Sequence, residues 1–95
     1  MKTKILILAA ISYSLVGFSQ KNEIKTAEKA LKSGDAVAAK AAIESASGMI
    51  GGADDKMKAE YYLLRGDVYK DLGQKGDAAA FEVAIKSYND LIALE

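Results

Sequence analysis

Apolar residues recur at three- and four-residue spacing over four stretches of this chain, and glycine or aspartate bounds each stretch. That period is the signature of amphipathic helices. The first helix is predicted over Asn22–Ser33, with Ile24, Ala27, Ala30 and Leu31 on one face. Gly34 is placed to end it, and Asp35 follows as the N-cap of a second helix. This second helix is predicted over Ala36–Met49, its stripe made by Ala39, Ala42, Ile43, Ala46 and Ile50. Gly48, Gly51 and Gly52 then form a loop, and Asp54 or Asp55 caps a third helix over Asp55–Leu72. Met57, Tyr61, Leu64, Val68 and Leu72 form the apolar line of the third helix, and Gly73 ends it. Gly76-Asp77 repeats the earlier glycine-aspartate punctuation before a fourth helix over Ala78–Leu94, striped by Phe81, Ala84, Ile85, Tyr88, Leu91 and Ile92.

The pattern is written twice. Residues 32–50 (KSGDAVAAKAAIESASGMI) align without gaps on residues 74–92 (QKGDAAAFEVAIKSYNDLI), an offset of 42 residues. Gly34/Gly76, Asp35/Asp77, Ala36/Ala78, Ala38/Ala80, Ala42/Ala84, Ile43/Ile85, Ser45/Ser87 and Ile50/Ile92 are identical pairs. A period of this size marks a repeat architecture, in which one supersecondary unit buries its apolar face against the next. Short connections make consecutive helices antiparallel neighbours. The expected fold is all-α: stacked antiparallel helical hairpins, with one unit over residues 20–52 and a second over residues 53–95.

Composition narrows the chemistry. Proline is absent, which favours uninterrupted helices. Much of the hydrophobic share is alanine, so the core is thin and the helices lie close together. Formal charge is zero and no basic stripe exists, which argues against nucleic acid as a partner. Without histidine or cysteine the chain lacks the commonest general base, the thiolate nucleophile and zinc–sulfur ligation. The GMIGGADDK segment lacks the Gly-Lys-Ser/Thr ending of a phosphate loop, and Asp54-Asp55 lacks the alternating ligands of a calcium loop. No catalytic residues, cofactor site or metal site are expected, and the chain does not read as an enzyme.

The first residues read as an address. Lys2 and Lys4 precede a largely apolar run from Ile5 to Val16, and Gly17-Phe18-Ser19 sets small residues where a signal peptidase inspects the chain. That is the layout of a secretory signal peptide over residues 1–19, cleaved after Ser19. The apolar run would extend about 18 Å as a helix, short of a hydrocarbon core of roughly 30 Å, so no stable membrane insertion is expected after cleavage. The style of this leader resembles that of exported proteins of Bacteroidetes-type bacteria, which implies a periplasmic or extracellular product.

The third and fourth helices resemble the two helices of a tetratricopeptide repeat. In YYLLRGDVYKDLG, bulky Tyr62 is followed by small Gly66, aromatic Tyr69 and a leaving glycine, Gly73. In AIKSYNDLIALE, small Ala84 and Ile85 are followed by aromatic Tyr88 and the Leu94-Glu95 ending. The chain departs from that family in its longer offset, in an early start of the fourth helix and in lacking the terminal proline. The first unit is the weaker match, with alanine where the aromatics stand in the second. The resemblance implies that Tyr62, Gly66, Tyr69, Ala84 and Tyr88 pack the repeat. It also implies that Glu60, Leu63, Asp67, Lys70 and Asp71 face a protein or peptide partner. This acidic set does not suit an anionic C-terminus as ligand. Tyr61 and Tyr62 lie about 100° apart on their helix, so they cannot both face one core. The functional expectation is a non-catalytic interaction module, the N-terminal part of a longer array. The alternative is an assembly protein that self-associates through its exposed end faces.

Overall fold

The computed structural model describes residues 16–95, with side chains from Lys21 onward. The leader expected over residues 1–19 therefore lies, through residue 15, outside the described residues. All regular structure among the described residues is helical: α1 (Val16–Lys32), α2 (Ala36–Ser47), a 3-10 turn (Ile50–Gly52), α3 (Asp55–Gln74) and α4 (Ala80–Ala93). The expected all-α class holds. The backbone of α1 begins ahead of Asn22 and runs across the Ser19–Gln20 bond. No helix of the described residues is long and apolar enough to cross a membrane.

The duplicated sequence makes duplicated turns. Gly34 leaves α1 with a φ of 83° and Gly76 leaves α3 with a φ of 120°, the left-handed region that glycine enters without Cβ strain. At the first turn, the Gly34 N–H donates to Leu31 at 3.1 Å and the Asp35 N–H to Ala30 at 2.9 Å. At the second, the Gly76 N–H donates to Gly73 at 3.2 Å and the Asp77 N–H to Leu72 at 3.1 Å. Both are the Schellman closure, which satisfies carbonyls that the helix end leaves free. Gly73, expected to end the third helix, instead lies inside α3, and the exit falls to Gly76, the partner of Gly34.

The caps are less symmetric. Asp35 accepts the Ala38 N–H at 3.1 Å, and Asp54 accepts the Met57 N–H at 2.8 Å, so both act as N-caps. Asp77 does not cap α4 with its side chain. Its carbonyl accepts the Ala80 N–H at 3.0 Å in an intervening turn, and α4 starts at Ala80 rather than Ala78.

α1 packs along α2 and α3 along α4, while α2 and α1 both also contact α3. One core gathers Ile24 and Ala27 from α1 with Ala39, Ala42, Ile43 and Ala46 from α2. Tyr61, Leu64, Val68 and Tyr69 from α3 and Ala80 and Ala84 from α4 complete it. The stripes expected for the first three helices are those that pack here, with Ala30, Leu31, Met57 and Leu72 half-buried at the margin. Tyr61 is buried and Tyr62 half-buried, and their rings meet edge to face at 5.3 Å.

The stripe expected for the fourth helix is corrected. Ala80, Ala84 and Ser87 are its buried residues, whereas Phe81, Ile85 and Ile92 are exposed. The physical reason is neighbour count: α2 lies between α1 and α3, but α4 has extensive contact with α3 alone. Small residues set the α3–α4 distance. A Cβ on Gly66 would fall against the Tyr88 ring, with Cδ1 at 2.7 Å, and one on Gly73 would meet the Phe81 ring at 2.7 Å. Gly66 is thus the floor on which Tyr88 lies.

Gly66→Ala therefore carries opposite effects in two backgrounds. With Tyr88 present, the overpacking cost of about 1–3 kcal/mol exceeds or cancels the helix-propensity gain of about 1 kcal/mol. In a Tyr88→Ala background the same substitution should stabilise by about 1 kcal/mol. Urea denaturation of the four proteins checks this sign change, and an equal effect in both backgrounds would contradict it.

Candidate functional site

A groove of about 490 Å³ runs between α1 and α3. Ile24 and Leu31 of α1 and Leu63 and Leu64 of α3 give it an apolar lining. The α1 wall carries Lys21, Lys25, Lys32 and Glu28, and the α3 wall carries Glu60 and Asp67. One wall is thus mainly basic and the other acidic. Lys32 Nζ meets Glu28 Oε1 at 3.0 Å on the exposed rim. A smaller recess of about 160 Å³, lined by Asp54, Lys56 and Met57, shares Lys21 and Glu60 with the groove.

Of the residues expected to face a partner, Glu60, Leu63 and Asp67 line this groove. Helical spacing explains why they share a wall, since three- and four-residue steps stay on one face. Leu63 is about half exposed, an apolar side chain left open to a ligand. Asp67 Oδ1 accepts the Tyr88 hydroxyl at 2.6 Å, which holds the carboxylate beside the groove. Lys70 is exposed and Asp71 half-buried, and neither lines the groove. Asp71 Oδ2 instead pairs with Lys75 Nζ at 3.0 Å. That ammonium also donates to the Gly34 carbonyl at 2.9 Å and so ties the second repeat turn to the first.

A polar seam, on a different side of α3 from the groove, joins α2, α3 and α4. Glu44 Oε1 accepts the Tyr69 hydroxyl at 2.6 Å and Arg65 Nε at 3.3 Å. Arg65 also donates to Ser87 Oγ at 2.9 Å, and its guanidinium lies 5.0 Å from the centroid of the Tyr69 ring. Ser87 has no exposed surface, so this bond satisfies a hydroxyl that water cannot reach. Of the residues expected to pack the repeat, Tyr69 and Ala84 belong to the core, Tyr62 and Tyr88 pack against it, and Gly66 is buried beneath Tyr88.

Glu44, Arg65 and Ser87 carry no periodic signal that brings them together, because they sit on three helices. The one clue is that Arg65 is the sole arginine in a lysine-rich chain. Its planar fork can serve two acceptors at once, which an ammonium does less well. The α1 side of the groove is likewise not among the residues expected to face a partner, although Ile24 and Leu31 stand seven residues apart on its stripe.

The environment raises three tyrosines. Burial, then the Glu44 hydrogen bond, pushes Tyr69 up to about 12, against the lowering influence of Arg65. Burial, then the bond to Asp67, pushes Tyr88 up to about 12. Burial also raises Tyr61. Tyr69 and Tyr88 are structural hydrogen-bond donors, kept neutral by burial and by the carboxylates that accept from them. Among the described residues no group of three or more potential metal ligands converges. Comparison of the chain with protein-family models, with curated proteins and with solved structures returns no match.

The raised phenols have a direct readout. The folded state holds protons on Tyr69 and Tyr88 that the unfolded chain releases near 10, so their stabilisation is complete below pH 10 and is lost as pH rises towards 12. Tyrosinate absorbance should show two phenols ionising near 12 in the folded chain, one lost in Tyr69→Phe and the other in Tyr88→Phe. Ionisation of every tyrosine near 10 without unfolding would contradict the geometry.

Proposed function

We propose that this chain is an exported, non-catalytic interaction module of the tetratricopeptide type, and that the α1/α3 groove is where its partner docks. The observation that carries this reading is the groove itself: an apolar floor with polar walls, framed by the first helix of each duplicated unit. Its volume lies within the roughly 300–1,000 Å³ common to ligand clefts. The Gly66–Tyr88 contact is in keeping with this reading, since an aromatic of the next helix fills the space that the small residue leaves. Residues 20–52 and 53–95 are then the two repeat units. The leader over residues 1–19 delivers it to the periplasm or the cell exterior.

The groove's chemistry defines the ligand class. Opposed basic and acidic walls suit a peptide that carries both signs and directs an apolar side chain at Leu63 and Ile24. Charge complementarity fixes its orientation, and apolar burial supplies most of the affinity. A polyanion is disfavoured by Glu60 and Asp67 on the α3 wall.

Selection of a displayed random-peptide library on the full chain should enrich sequences with an apolar anchor flanked by charge. Leu63→Asp should weaken the enriched peptides by roughly tenfold or more, because burying one leucine contributes about 1.5–3 kcal/mol. Leu63 is exposed enough for the variant to fold. Failure to enrich any sequence, or equal binding to Leu63→Asp, would overturn the proposal.

A further inference from the structure

The two copies of the repeat are not buried alike. Ile43 and Ile50 of the first copy are 0% and 8% exposed, whereas their counterparts Ile85 and Ile92 are 60% and 64% exposed. Ala39 is fully buried, and its counterpart Phe81 is 39% exposed. At 100° per residue Phe81, Ile85 and Ile92 fall within about 40° of one another. The Phe81 ring reaches back onto Gly73 of α3, so the open part of this apolar strip is Ile85 and Ile92 with the outer edge of Phe81.

The repeat says what this strip is. α1 packs along α2 as α3 packs along α4, although Ala80 and Ser87 are buried on α4 where the aligned Ala38 and Ser45 are exposed on α2. The open strip of α4 answers to Ile43 and Ile50, which are buried on α2, the helix that contacts α3 as well as α1. On α2 the side that meets α3 is marked by Lys40, 5.8 Å from the Tyr69 ring centroid, and by Glu44, which takes Arg65 and Tyr69. The aligned residues of α4 are Glu82 and Lys86, with both signs reversed and both exposed. Lys86 Nζ reaches only Asp90 of its own helix, at 3.3 Å.

A helix that fits must therefore carry a carboxylate where α3 carries Arg65. Shifted by the repeat offset, α1 supplies it: Glu23 stands in the place of Arg65, and Asn22 and Thr26 stand in the places of Leu64 and Val68. Asn22 and Thr26 are exposed and Glu23 is half-buried, so this face of α1 is open to a neighbour. Inside the chain, α2 receives α3 through Glu44 and Arg65. Between chains, α4 would receive α1 through Lys86 and Glu23, with the charges exchanged.

We infer that a second copy of this chain docks its α1 on the outer face of α4, head to tail, continuing the α2–α3 seam from one molecule to the next. The α1 face involved is not the one that lines the groove, so the inference does not depend on the groove's ligand. Such a heterologous contact does not close on itself and propagates as a chain of copies. One helix against another buries less than the roughly 1,000 Å² that a stable interface clears, so the association is weak and grows with concentration.

Sedimentation of the full chain over a concentration series tests this. Ile85→Lys should lower the association constant at least about tenfold while leaving the helical circular dichroism unchanged. Lys86→Glu and Glu23→Lys should each weaken it by roughly three- to tenfold, and mixing these two variants should restore it, because each then offers the sign the other needs. A monomer at every concentration would overturn the inference in favour of a foreign helix on α4. Association that depends on Ile85 but ignores both charge reversals would overturn it in favour of a symmetric α4–α4 pair. Association that ignores all three substitutions would overturn it as well.

Discussion

Glu44 and Arg65 meet across the boundary between the two helix pairs, and the rest of the structure depends on that meeting. α1 with α2 and α3 with α4 are local units, each closed by its own glycine turn. A 12-residue α2 rich in alanine offers little apolar area for joining them. The polar cluster compensates by direction. One carboxylate takes a phenol and a guanidinium from α3, and the guanidinium passes on to Ser87 of α4. Breaking one member would leave the others short of partners in a half-buried place, where an unmet group costs more than the bond contributes. Lys75 on Gly34 adds a second tie at the turn end. The relative placement of α1 and α3, and so the groove between them, follows from these contacts.

Much of this fold was legible because local rules and the duplication agree. Asp35 caps where the glycine-aspartate punctuation sets it and Asp54 caps at the end of the glycine loop, while Gly34 and Gly76 take the left-handed exits. The stripes of the first three helices are core stripes because each of those helices has neighbours on more than one side. The stripe of α4 could not be read to the end by the same rule. Periodicity finds an apolar face, but it does not report whether a neighbour exists to cover that face, and Ile85 and Ile92 lack one among the described residues. Gly73 misled for a related reason: it looks like a helix exit, yet it is the seat of the Phe81 ring.

The groove was half legible. Its α3 wall followed from a family resemblance that is strongest in α3, so Glu60, Leu63 and Asp67 were within reach. Its α1 wall was not, because α1 carries alanine where that resemblance expects aromatics. The polar seam lay out of reach, since contacts spanning 21 to 25 positions leave no periodic trace. The duplication nonetheless relates the seam to the outer face of α4. Glu44 aligns with Lys86, and the same offset carries Arg65 to Glu23, so the internal joint is the template for the proposed external one.

The account rests on the two duplicated pairs being one cooperative body, joined through Glu44. A double-mutant cycle on Glu44→Ala and Tyr69→Phe, read by urea denaturation, addresses that most directly. A charge-assisted bond across a half-buried seam predicts a coupling of about 1–2 kcal/mol in a single unfolding transition. Coupling indistinguishable from zero, or two separate transitions, would mean that the pairs fold independently and that no shared seam exists.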